Sequence, residues 1–142
     1  MEMTTREFLE QYKEADKIAR RLRAEYEKEL YLIDTVKSVS DIDGMPHGNG
    51  INKAVEDKAI RLADKAAVWK MAELEALHLR QEVFELVYDI PGDEGDILYE
   101  RYVNLRKWKD VCKAVHLSWE SVRKHHKRAL DLVDQKIKNS TM

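Results

Sequence analysis

From Phe8 to Val36 apolar side chains return at gaps of three or four, with no glycine or proline between them. Phe8, Tyr12, Ala15, Ala19, Leu22, Tyr26, Leu30, Ile33 and Val36 share one face only if a single helix runs through the whole stretch. Thr4 and Glu7 form a capping box at its start, each side chain serving an otherwise unpaired backbone N–H. A second stripe follows: Val55, Ala59, Leu62, Ala66, Trp69, Ala72, Ala76, Leu79, Val83, Leu86 and Ile90, with Asn52 as the expected N-cap. Between the two lies SVSDIDGMPHGNG, which holds three of the five glycines and one of the two prolines. Pro46 lacks an N–H and clashes with the preceding turn, so a bend is expected there. Two helices of similar length, each roughly 50 Å long at 1.5 Å per residue, define an antiparallel coiled-coil-like hairpin over residues 1–90.

Gly and Pro together number 7 in 142 residues, against roughly 17 at average usage. That shortage excludes barrels, sandwiches and propellers, which consume turn residues, and leaves an all-α chain. No window approaches a membrane span, and the opening MEMTTREF lacks the apolar region of a signal peptide. Cys112 is alone, so no intramolecular disulfide forms, and a cytoplasmic protein with no membrane partner is expected. Small residues such as Ala15, Ala19, Ala66 and Ala72 alternate with large ones such as Tyr12, Leu22 and Trp69, as close helix packing requires. Leu74, Leu77, Phe84 and Val87 lie outside the main stripe and need cover. A second copy, giving a homodimeric four-helix bundle, is one source; a C-terminal domain folded over that face is the other.

The charge pattern changes beyond the hairpin. Residues 71–100 carry nine carboxylates against Arg80 alone, a net of −8, whereas residues 106–128 carry eight Lys and Arg against Asp110 and Glu120, a net of +6. The near-neutral total of −2 therefore hides a strong asymmetry, and a concentrated positive face attracts polyanions. Pro91 and Gly92 end the second long helix, and residues 91–142 read as a separate small domain of three helices: about 93–103, about 107–115, and a third opening at the N-cap Ser118. Trp108, Val111, Cys112 and Val115 supply the inner face of the middle helix; Val122, Ala129, Leu130, Val133 and Ile137 supply that of the last. The connection AVHLS has the length of a helix-turn-helix turn.

Arg123, Lys124 and Lys127 crowd one exposed side of the last helix. Trp119, Glu120, Ser121 and Arg123 occupy its N-terminal turns, the part that reaches base edges in a major groove. Glu120 also meets the positive end of the helix dipole. Lys107, Lys109 and Lys113 on the preceding helix suit phosphate contacts. With Ser118 and Arg128 these residues form the candidate DNA-binding set, and the expected partner is double-stranded DNA.

The stretch IPGDEGDILYERYVNLRKWKDVCKAVHLSWESVRKHHKRALDLV resembles region four of bacterial sigma factors. The match rests on Leu98, Arg101 and Tyr102, on Trp108, Asp110 and Val111, on Leu117 through Arg123, and on Arg128, Ala129 and Leu130. With its helical N-terminal part and GMPHGNG, the whole chain looks like small proteins of Gram-positive phages and prophages grouped with ArpU-like late transcription regulators. The resemblance implies sequence-specific duplex binding by the helix from Ser118, with Trp119, Glu120, Ser121, Arg123 and Lys124 facing DNA, and contact with host RNA polymerase. Two departures stand out: His116 and Leu105 occupy positions where that family commonly has glycine. Histidine tolerates the left-handed conformation better than most residues. Counterparts of the promoter-melting regions are missing, so a complete sigma factor is excluded.

No arrangement reads as catalytic. Cys112 and His116 are two of the four ligands a structural zinc needs. His125 and His126 are neighbours and point apart on a helix, so phosphate contact or solvation is their expected role. His47 has no nucleophile or carboxylate at a readable spacing. A Walker loop, a dinucleotide fingerprint and a serine elbow are all missing. The expectation is a non-enzymatic, cofactor-free DNA-binding regulator in the bacterial cytoplasm, dimeric through the hairpin. The rival expectation is an interaction module that binds host RNA polymerase or another host factor, as a sigma mimic or a nucleic-acid mimic.

Overall fold

A computed structural model describes residues 3–42 and 49–140. Its elements are α1 (Thr5–Ile42), α2 (Asn49–Val87), α3 (Gly92–Leu98), a π-helical turn (Tyr99–Val103), α4 (Trp108–Val115) and α5 (Trp119–Ser140). Among the described residues there is no strand, and no helix is long and apolar enough to cross a membrane. The centre of the expected bend, with Pro46 and His47, lies outside the described residues. Helix α1 continues past Val36 to Ile42, and α2 already begins at Asn49. Asn52 is therefore inside the first turn of α2 and not its cap.

Packing divides the chain into two compact units, Asp16–Glu75 and a second made of residues 1–15 with residues 76–142. The first is the hairpin proper. Tyr26 meets Trp69 with ring centroids 6.0 Å apart, Arg23 lies over the same indole at 5.5 Å, and Lys65 pairs with Glu29 at 3.0 Å. Later residues of α1 thus meet earlier residues of α2, the antiparallel arrangement expected from the two stripes.

The second unit does not begin at the change of composition after residue 90. Leu9 of α1 and Val83 and Val87 of α2 share one core with Leu98, Tyr102, Val103, Ala129 and Val133. The outer turns of the long helices are thus built into the C-terminal core, because only there do those side chains find enough apolar neighbours to leave water. Phe84 packs against this core and Val87 is buried in it, so C-terminal helices cover that part of α2. Thr5 donates a hydrogen bond to Asp134 at 3.1 Å, tying the start of α1 to α5. At the start of α1 the Thr4 half of the expected capping box is formed, with the Glu7 N–H donating to the Thr4 hydroxyl at 3.2 Å. At the end of α2, whose last turn has no basic residue, Lys136 of α5 donates to the carbonyls of Glu85 (2.7 Å) and Leu86 (3.3 Å) and pairs with Asp89. A cation from a distant helix satisfies the carbonyls that a helix end leaves free.

Helix α3 packs directly on the chain that precedes it. A Cβ on Gly95 would collide with the carbonyl of Ile90, so only glycine fits. The helix expected over 93–103 changes pitch at Tyr99: the Asn104 N–H reaches back to the Tyr99 carbonyl at 3.0 Å, an i→i+5 bond. The wider turn puts residues four and five apart on one face, and Leu98, Tyr102 and Val103 are all buried together. A second, smaller core of Ile97, Val111 and Val122, flanked by Trp108, Cys112, Val115 and Leu117, joins α3, α4 and α5.

Candidate nucleic-acid interface

Helices α4 and α5 form the helix-turn-helix expected from the sequence. His116 ends α4 in the left-handed region with φ 58°, and Leu105, just before α4, has φ 55°. Among the described residues these are the only non-glycines at positive φ. They are the two positions singled out in the sequence as departures from glycine, and both adopt the left-handed conformation that glycine takes without strain. Ser118 then caps α5, accepting from the Ser121 N–H at 3.3 Å.

All eleven residues of the candidate set fall on α4, α5 or their caps. Lys107, Lys109, Lys113, Ser118, Trp119, Glu120, Arg123, Lys124, Lys127 and Arg128 are exposed, and Ser121 is half-buried. Trp119 keeps half its surface in solvent (50%) and sets its ring against Trp108 at 5.5 Å. Trp108, Cys112, Leu117 and Trp119 line a shallow apolar recess of about 570 Å³, with Lys109 and Lys113 at its edge.

The acidic segment neutralises part of α5. Glu94 lies 2.8 Å from His125 Nδ1 and 3.4 Å from Arg128. The hydrogen bond from His125 is the main reason the Glu94 carboxyl is held below its ordinary range. Glu100 pairs with Arg106, and Asp89 with Lys136. By contrast, among the described residues Lys107, Lys109, Lys113, Arg123, Lys124 and Lys127 have no carboxylate partner. The anions of the acidic segment therefore engage His125 and Arg128, and among the described residues none of them pairs with Arg123, Lys124 or Lys127.

The two histidines take roles other than those expected. His125 is engaged by Glu94, and His126 is a core residue. The His126 Nε2 lies 2.6 Å from the Tyr102 hydroxyl, and its ring meets Trp108 at 4.7 Å. Burial, then the Arg6 and Arg101 guanidiniums, push the imidazole down to about 4; burial pushes the Tyr102 hydroxyl up to about 12. A neutral imidazole and a protonated phenol share one hydrogen bond, which is how two polar groups sit in an apolar core. The i, i+4 rhythm of Val122, His126, Leu130 could have placed His126 on the inner face.

Arg6 escaped sequence reading altogether. It stands in the first turn of α1, yet it lines a cleft of about 440 Å³ with Arg123, Lys124, His126, Lys127 and Leu130 of α5. Nothing in the local sequence connects residue 6 with residue 123. Among the described residues no group of three or more His, Cys, Asp or Glu is placed to hold a metal ion. Comparison of the chain with protein-family models, with curated proteins and with solved structures finds no match.

Proposed function

We propose that the chain is a sequence-specific DNA-binding transcription regulator of the sigma region-four-like type, serving a phage or prophage in the bacterial cytoplasm. The observation that carries this reading is the row of exposed cations on α4 and α5 with no ion-pair partner among the described residues, beside a segment whose carboxylates engage His125 and Arg128 instead. The first turns of α5 enter the major groove, where Arg123 reads base edges; Lys107, Lys109 and Lys113 hold phosphates. Two copies associate through the hairpin, whose α2 leaves Ile60, Val68, Met71 and Leu74 exposed, and their reading helices meet half-sites one helical turn or a multiple apart. A mobility-shift assay on phage promoter DNA at two salt concentrations tests the reading, because counterion release makes affinity fall steeply with salt. Arg123→Ala abolishes discrimination between target and random duplex, whereas Lys113→Ala weakens both alike; equal effects contradict the roles.

The apolar recess at Trp108, Cys112, Leu117 and Trp119 favours a second reading, in which this face docks on host RNA polymerase without reading DNA. Co-purification with polymerase, together with no shift of any duplex, decides for it.

A further inference from the structure

The cleft between the first turn of α1 and the outer edge of α5 gathers four cations from opposite ends of the chain: Arg6, Arg123, Lys124 and Lys127. Like charges held together repel each other unless an anion joins them. Among the described residues only Arg6 of the four has a carboxylate partner, Glu10 on its own helix at 3.2 Å. The floor is His126, already committed to Tyr102, with Leu130 beside it. A cationic rim over an uncharged floor, about 440 Å³ in volume and open to solvent, has the charge of a seat for a phosphate group and more than room for one.

We propose that this cleft is a phosphate-binding seat in which Arg6 completes the site made by Lys124 and Lys127, leaving Arg123 to reach base edges, and that its occupant is a backbone phosphate of duplex DNA. The occupant rests on the DNA-binding reading above; the seat itself rests on the cleft. Helix α1 thereby becomes part of the interface, fixing the angle of α5 on the duplex through a contact that carries no sequence information. The pairing of Thr5 with Asp134 at 3.1 Å holds the first turn of α1 against α5, so the guanidinium is delivered by a fixed element.

The test uses the full chain and its Arg6→Gln, Arg6→Lys and Lys113→Gln variants. One arm measures binding of a random-sequence duplex across a salt series; the other measures inorganic pyrophosphate binding by calorimetry. The expected result is that Arg6→Gln weakens duplex binding roughly fivefold and lowers the slope of log K on log salt by about 0.9, with Arg6→Lys restoring the slope. If the wild type binds duplex and Lys113→Gln lowers the slope while Arg6→Gln leaves it unchanged, the seat is overturned and the DNA reading stands. Arg6-dependent pyrophosphate binding without any duplex binding keeps the seat and overturns its proposed occupant. No binding of either probe overturns both. Unchanged helical content by circular dichroism shows that each variant is folded.

Discussion

The two units spend their apolar residues differently. Among the described residues the Asp16–Glu75 hairpin buries a single hydrophobic side chain, Ala19, and that one still 7% exposed, while Ile18, Tyr31, Leu32, Ile60, Val68, Met71 and Leu74 are each more than half exposed. The other unit buries Leu9, Val83, Ile97, Leu98, Val111, Val122 and Val133 to 1% exposure or less. Two helices lying side by side have only one mutual seam, so most of each circumference stays wet however apolar it is. A third and fourth helix crossing that seam close the core. Local helix signals are strong in both regions; what differs is the number of neighbours.

The largest test of this contrast is Leu98→Ala. It should lower stability by about 3 kcal/mol in urea titration, since it opens a cavity in a fully covered core. A loss below about 1 kcal/mol would place the C-terminal unit on a par with the hairpin. The buried His126 gives the next effect. Its pKa near 4 in the folded chain lies below the ordinary value of 6.5, so between those pH values the unfolded chain binds the extra proton. Stability is full above about pH 6.5 and is lost as pH falls toward 4, by on the order of 2 kcal/mol. The urea midpoint should drop between pH 7 and pH 5, and His126→Leu should flatten that dependence; a wild-type midpoint independent of pH in this range would contradict the burial argument.

Lys136→Met removes the cation that caps the end of α2 and should cost about 1 kcal/mol, read as a lower melting temperature. Replacing His116 by glycine relieves a left-handed backbone and should raise stability by roughly 0.5 kcal/mol; a loss instead would mean the imidazole itself is needed at the turn. The smallest effect is predicted for the hairpin. Ile60→Ala should change monomer stability by less than about 0.5 kcal/mol, and a larger effect that grows with protein concentration would show that a second copy covers this face.

Trp69 marks how incomplete the hairpin seam is. Its ring meets Tyr26 at a tilt of 42° and lies under Arg23, yet its Nε1 is buried with no hydrogen-bond partner. An unsatisfied buried donor costs about 1–3 kcal/mol. No comparable orphan occurs among the described side chains of the C-terminal unit, where Tyr102 and His126 satisfy each other.

Much of this was written in the chain itself. The absence of glycine and proline from two long, evenly spaced apolar runs dictated helices, because backbone hydrogen bonding is local and needs no distant partner. The Thr4 and Ser118 caps, the inner face of α4 and the turn at His116 were readable for the same reason. Tertiary structure alone decided that Leu9 is a core residue, that α3 must carry glycine at position 95 to lie on Ile90, that His126 faces inward to Tyr102, and that Arg6 stands beside Arg123. Each of these depends on residues scores of positions apart or on backbone meeting backbone, and spacing along a chain encodes which face a residue shares, not what that face will meet.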